Sequence, residues 1–99
     1  YPELFGAVVC QVPLLDMRRY TKLLAGASWA AEYGDPDDPA DWDFLQRWSP
    51  YHLVEPGRAY PPLLLTTSTR DDRVHPGHAR EFAALLRELD ADVTSYENI

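Results

Sequence analysis

The sequence is poor in cysteine and in positive charge, and it has no long apolar run. A single cysteine, Cys10, leaves no possibility of a disulfide framework. Nine Lys and Arg against 16 Asp and Glu give a net charge of −7, so the chain lacks the basic footprint that a nucleic-acid or anionic-membrane partner requires. No apolar stretch approaches the ~20 residues of a membrane-spanning helix. There is no Gly-x-Ser-x-Gly elbow, no His-Glu-x-x-His pair, no cysteine-rich cluster, no repeat and no low-complexity tract. A signal-peptide pattern is also missing. The start at Tyr1 rather than Met, and the end at Ile99 directly after a strand-like stretch, are expected of a piece of a longer protein.

What is present is a 99-residue chain, 45% hydrophobic, sized for one small domain or part of one. Nine prolines and five glycines divide it into short blocks. Ala7 to Val12 is a nearly continuous β-branched run stopped by Pro13, the pattern of a strand buried on both faces. Leu14 to Leu24 mixes apolar and charged residues at helical spacings and predicts a short helix or a turn-rich excursion. Asp38-Pro39-Ala40-Asp41 is a helix start: a capping carboxylate, a proline that loses nothing at the first position, and an acid at the positive dipole end. The helix is predicted to run to about Trp48, with Trp42, Leu45 and Trp48 on its apolar face and Phe44 beside them.

Pro62 to Thr67 predicts a second buried strand, and Pro76 opens a helix to Leu89 with Ala79, Phe82, Ala83, Leu86 and Leu89 on one stripe. Val93 to Tyr96 alternates as a third strand. Strand, helix, strand in that spacing predicts a right-handed crossover between parallel strands, and hence an α/β fold with helices covering a parallel sheet.

Open parallel sheets collect ligands beyond the carboxyl ends of their strands. Two loops fall there: the one beginning Pro13-Leu14-Leu15-Asp16, and the richer Ser68 to His75, which carries Arg70-Asp71-Asp72-Arg73. Four charges in a row also describe an ordinary solvated turn. A carboxylate in that loop can orient a histidine in a nucleophile–base–acid relay, although the histidine must come from elsewhere. A metal site of Asp71, His75 and His78 is a weaker reading, because histidines at a helix start are usually surface or capping groups. His52, in a proline-bounded turn, reads as structural, and Cys10 as an inert thiol within a strand.

Taken in order, Leu4 to Val12, Leu15-Asp16-Met17, Gly26-Ala27-Ser28-Trp29 with Tyr33-Gly34, Trp48-Ser49-Pro50, Tyr60-Pro61-Pro62 and Thr69-Arg70-Asp71-Asp72-Arg73-Val74 resemble the prolyl oligopeptidase family over essentially the whole chain. The resemblance is to part of one α/β-hydrolase catalytic domain, residues 1–99, between the nucleophilic serine and the catalytic histidine. It implies that Asp71 is the triad acid, that Arg73 hydrogen-bonds a substrate carbonyl, and that Trp29, Tyr33, Leu14 and Val74 line a pocket for proline. Without the family, Trp29 and Tyr33 read as ordinary core aromatics.

The resemblance also implies what is missing. The serine elbow, the oxyanion-hole donors, the histidine and the family's β-propeller are not in this sequence, and none of His52, His75 or His78 takes the place of the base. The expectation is a segment of a serine peptidase acting on proline-containing peptides, inactive alone, needing no cofactor or metal, and partnered by the remainder of its polypeptide or by itself. Cytoplasm is the family-weighted location, with periplasmic or secreted enzymes also compatible with one cysteine. The rival readings are a related oligopeptidase for basic residues, an acylaminoacyl peptidase or an esterase. A different class altogether is a non-catalytic α/β interaction domain.

Overall fold

The computed structural model describes residues 1–99. Three parallel strands, β1 (Val8–Gln11), β2 (Leu63–Ser68) and β3 (Val93–Asn98), form one sheet in the order β1-β2-β3. Cys10 pairs with Leu65, and Leu65 with Ser95, so the loops leaving β1 and β2 emerge at the same edge of the sheet. Short helices α1 (Ala30–Tyr33), α2 (Pro39–Leu45) and α3 (Pro50–Leu53) lie between β1 and β2, with 3-10 turns at Tyr20–Lys22 and Leu24–Trp29; α4 (Gly77–Glu88) connects β2 to β3.

Local chemistry accounts for these elements. Asp38 Oδ1 accepts a hydrogen bond from the Ala40 amide at 2.8 Å, with Pro39 as the first residue of α2. That helix ends at Leu45, three residues short of the predicted Trp48, and a turn carries the chain into Pro50. Phe44 lies outside the apolar face and is 58% exposed, whereas Leu45 is fully buried. The excursion after β1 contains 3-10 turns and no α-helix before Ala30.

Two small cores result. Leu15, Leu65 and Ala83 are buried together, with Cys10, Leu63, Phe82 and Val93 packed around them, between the sheet and α4. Met17, Tyr20 and Leu45 form the second, with Leu14, Trp29, Tyr33 and Trp42 around it. The expectation that β1 is buried on both faces is corrected: Val8 and Cys10 are half-buried on the α4 side, but Val9 is 62% exposed and Gln11 is exposed as well. Tyr96 on β3 is 61% exposed.

Burial of a leucine or methionine stabilises a fold by about 1.5–3 kcal/mol, and only 16 of the 99 residues are buried. Both outer strands also offer unpaired backbone edges. The isolated 99-residue chain is therefore expected to self-associate, or to melt without a sharp transition. Sedimentation together with calorimetry checks this, and a cooperative monomeric melt is the contrary result.

Candidate active site

The loop after β2 is organised by the side chain of Asp71. Its Oδ1 accepts the amide hydrogens of Arg73 and Val74, each at 2.9 Å, while its own amide donates to the Ser68 carbonyl at 3.3 Å. The two amide donors hold the Asp71 carboxyl below the usual carboxylate range, so it is ionised at neutral pH. Its second oxygen, Oδ2, makes no hydrogen bond within the chain and remains free to accept one. Arg73 and Asp72 are exposed, and Val74 is half-buried. The loop is tied to the end of β3, because the Thr69 amide donates to the Asn98 carbonyl at 2.9 Å. Nearby, Arg80 on α4 forms an ion pair with Glu97 on β3.

The loop after β1 leaves the sheet at a sharp bend. Val12 has φ = 48°, an uncommon left-handed conformation for a β-branched residue, costing on the order of 1–3 kcal/mol. Its amide still donates to the Thr66 carbonyl at 2.8 Å. Three consecutive amides are then satisfied by side chains from distant parts of the chain. Leu15 and Asp16 donate to His78 Nδ1 at 3.3 and 3.1 Å, and Met17 donates to Ser49 Oγ at 3.0 Å. The Tyr51 amide donates to the Leu15 carbonyl at 3.0 Å.

These contacts surround a buried group of polar residues. Asp16 is fully buried; its Oδ1 accepts from the Arg18 and Arg19 amides, and its Oδ2 accepts from the Arg19 guanidinium at 2.6 Å. Burial pushes the Asp16 carboxyl up, but hydrogen bonds from the Arg19 guanidinium and from the Arg19 and Arg18 amides outweigh it and hold the group low. Glu81 on α4 faces the same site. Its Oε2 is buried without a hydrogen bond, 3.9 Å from the Arg19 guanidinium. Burial and the neighbouring Asp16 raise its pKa. His78 is 1% exposed, and burial lowers its pKa. With Nδ1 accepting two amide hydrogens, its ring is neutral and carries its proton on Nε2.

The expected pocket residues Leu14, Trp29 and Tyr33 come together on the core of Met17, Tyr20 and Leu45. The Tyr33 ring is edge-on to Tyr20 with centroids 5.9 Å apart, and Tyr20 donates its hydroxyl hydrogen to the Gly34 carbonyl. Gly26 makes this arrangement possible, since a Cβ there would lie 1.7 Å from the Tyr20 carbonyl oxygen. Val74, Arg73 and Asp71 stand on the neighbouring loop, at the same sheet edge. These six residues do not line the apolar groove next to the first core. That cavity, of about 270 Å³, lies beneath α4 and is lined by Phe5, Val8, Cys10, Leu63 and Phe82 among others.

The other candidates are placed as follows. His75 is a capping group, its Nδ1 accepting the Gly77 amide at 2.8 Å. His78 corrects the expectation of a surface histidine; its Nδ1 serves two backbone donors, and no group of three or more His, Cys, Asp or Glu is arranged to hold a metal ion. Ser49 Oγ lies 2.8 Å from His52 Nδ1, a spacing like that of a nucleophile and its base. Ser49 is fully buried and its oxygen accepts the Met17 amide, so the contact is structural. Burial pushes the half-buried Cys10 thiol up, away from reactive thiolate character. Asp16, Glu81 and Ser49 were not singled out by the sequence as functional.

The model of the prolyl oligopeptidase family matches residues 1–98. The chain belongs to the prolyl oligopeptidase family. Among its relatives are an uncharacterized peptidase, y4nA, of Sinorhizobium fredii, 56% identical over 98 residues, covering 99% of this chain and 14% of the relative. The prolyl endopeptidase of Elizabethkingia miricola is 41% identical over 91 residues, covering 91% of this chain and 13% of the relative. A solved structure of a post-proline cleaving enzyme from Rickettsia typhi superposes with a TM-score of 0.93 at 43% identity, covering 98% of this chain and 14% of that one. The chain thus spans about one seventh of the length of these relatives, and its fold is the α/β-hydrolase fold of prolyl oligopeptidase catalytic domains.

Proposed function

We propose that residues 1–99 are part of the catalytic domain of a serine peptidase that cleaves peptides on the carboxyl side of proline, and that Asp71 is the acid of its Ser-His-Asp triad. The observation that carries this reading is the Asp71 carboxylate at the carboxyl end of the central strand, with Oδ1 fixed by two amides and Oδ2 free. Such a carboxylate can accept a hydrogen bond from an imidazole N–H, fix its tautomer and stabilise the imidazolium formed when the ring takes the serine proton. Serine and histidine come from the rest of the polypeptide, which also covers the sheet's exposed face. Arg73, unpaired and exposed beside the acid, is suited to hold a substrate carbonyl as a fixed charged donor. Leu14, Trp29, Tyr33 and Val74 offer the flat apolar walls that recognise a pyrrolidine ring by shape and contact area.

Relatives support the reading. Prolyl oligopeptidase B of Galerina marginata, whose solved structures are 27–29% identical here, was captured with a 35mer hydrolysis and macrocyclization substrate in one serine-to-alanine and one histidine-to-alanine variant, and with a 25mer macrocyclization substrate in an aspartate-to-alanine variant.

A panel of peptides differing only at the residue before the cleaved bond tests the proposal in the full-length enzyme. A proline peptide is expected to exceed its alanine counterpart in kcat/KM by about 100-fold, while residues 1–99 alone release no product. Preference for arginine or lysine would move the protein to the basic-residue branch, and no turnover of any peptide would favour a non-catalytic domain.

A further inference from the structure

We infer that His78 is a positioning residue for the proline pocket, a role that rests on the post-proline reading above. The ring belongs to α4, just past the Asp71 to Val74 turn, yet its Nδ1 is spent on the amides of Leu15 and Asp16, 63 and 62 residues away in the chain. One nitrogen thus joins the loop bearing Leu14 to the helix that follows the loop bearing Val74 and Arg73. The two loops leave adjacent parallel strands, and these two hydrogen bonds fix the path of the first against the start of α4.

Sheet register alone cannot provide this, because the chain bends out of β1 at Val12 and its next amides find no backbone partner in the sheet. Ser49 secures the next amide, at Met17, so Leu14 is held immediately before a continuously anchored stretch. An apolar group at position 78 would leave two buried amides without acceptors, and the stretch would relax toward water to satisfy them. Leu14 would move with it. Because a pocket wall is in contact in both ground and transition states, its loosening raises KM more than it lowers kcat.

The test uses the full-length enzyme with His78→Asn, His78→Gln and His78→Leu. Asparagine can place Oδ1 where the imidazole has Nδ1, whereas glutamine carries its acceptor one bond farther out. His78→Leu and His78→Gln are expected to raise KM for proline peptides by about 10–100-fold and to narrow the proline-over-alanine ratio, with His78→Asn close to wild type. Hydrogen exchange at the Leu15 and Asp16 amides should be slow in the wild type and in His78→Asn, and fast in the other two. Unchanged proline selectivity in a folded His78→Leu enzyme overturns the inference, as does equal behaviour of the Asn and Gln variants. If the leucine variant does not fold, the Asn and Gln pair decides; if neither folds, wild-type exchange does, fast exchange at both amides being the overturning result. A wild-type enzyme with no preference for proline removes the functional reading alone, and the exchange comparison still shows whether His78 holds the loop.

Discussion

Replacing Asp71 by asparagine in the full-length enzyme is expected to lower kcat by about 10⁴-fold, the scale seen when a triad aspartate is so replaced in a trypsin-type enzyme. The size follows from the two oxygens having separate tasks. Asparagine Oδ1 can still accept from the Arg73 and Val74 amides, so the turn keeps its shape. The position of Oδ2 becomes an NH₂ group that donates where an acceptor is needed, and the facing imidazole is driven to the wrong tautomer. Steady-state kinetics with a proline peptide, alongside a thermal melt, separate this from misfolding. A near-normal kcat at an unchanged melting temperature would remove Asp71 from the triad. Asp72→Asn is the matched control, since Asp72 is exposed and organises none of the turn's amides.

The second large effect is expected at Trp29. Trp29→Ala should reduce kcat/KM for proline peptides by about 100-fold while costing alanine peptides much less, the range that apolar contacts supply to discrimination. Trp29 is half-buried, leaning on the Met17, Tyr20 and Leu45 core with part of its surface accessible. A core aromatic with no contact to substrate would behave differently. Its truncation would lower the melting temperature and depress every substrate alike. Measuring both peptides and the melt on the same preparation distinguishes the two, and Trp29→Phe should retain most of the selectivity.

The elements readable from sequence were those whose signal is local. The proline-bounded runs became β1 and β2, the Asp38-Pro39 start capped α2, and the stripe of Ala79, Ala83 and Leu86 was buried under α4. The charged loop after β2 was legible as the link between a strand and a helix, and the contacts that shape it are local, since Asp71 serves amides only two and three residues away. Hidden from such a reading were the partners brought in from afar: Ser49 for Met17, and His78 for Leu15 and Asp16. A faint signal existed, for His78 precedes Phe82 and Leu86 at helical spacing and so falls on the apolar side of α4. Likewise, Asp16 stands between the apolar Leu15 and Met17. The burial of β1 was overestimated because an apolar run reports a preference for cover on both sides, whereas α4 packs on only one face of this sheet.

The division of labour around the sheet edge has a consequence for how the proposed peptidase would diversify. The paths of the two loops are set by Ser49, His78 and one oxygen of Asp71, whereas the surfaces proposed to meet a peptide are those of Leu14, Trp29, Tyr33 and Val74. On the proposed function, exchange of a wall side chain would leave those backbone anchors intact, so substrate preference could drift over generations without displacing Asp71, while the anchors themselves would be the positions where drift is costly.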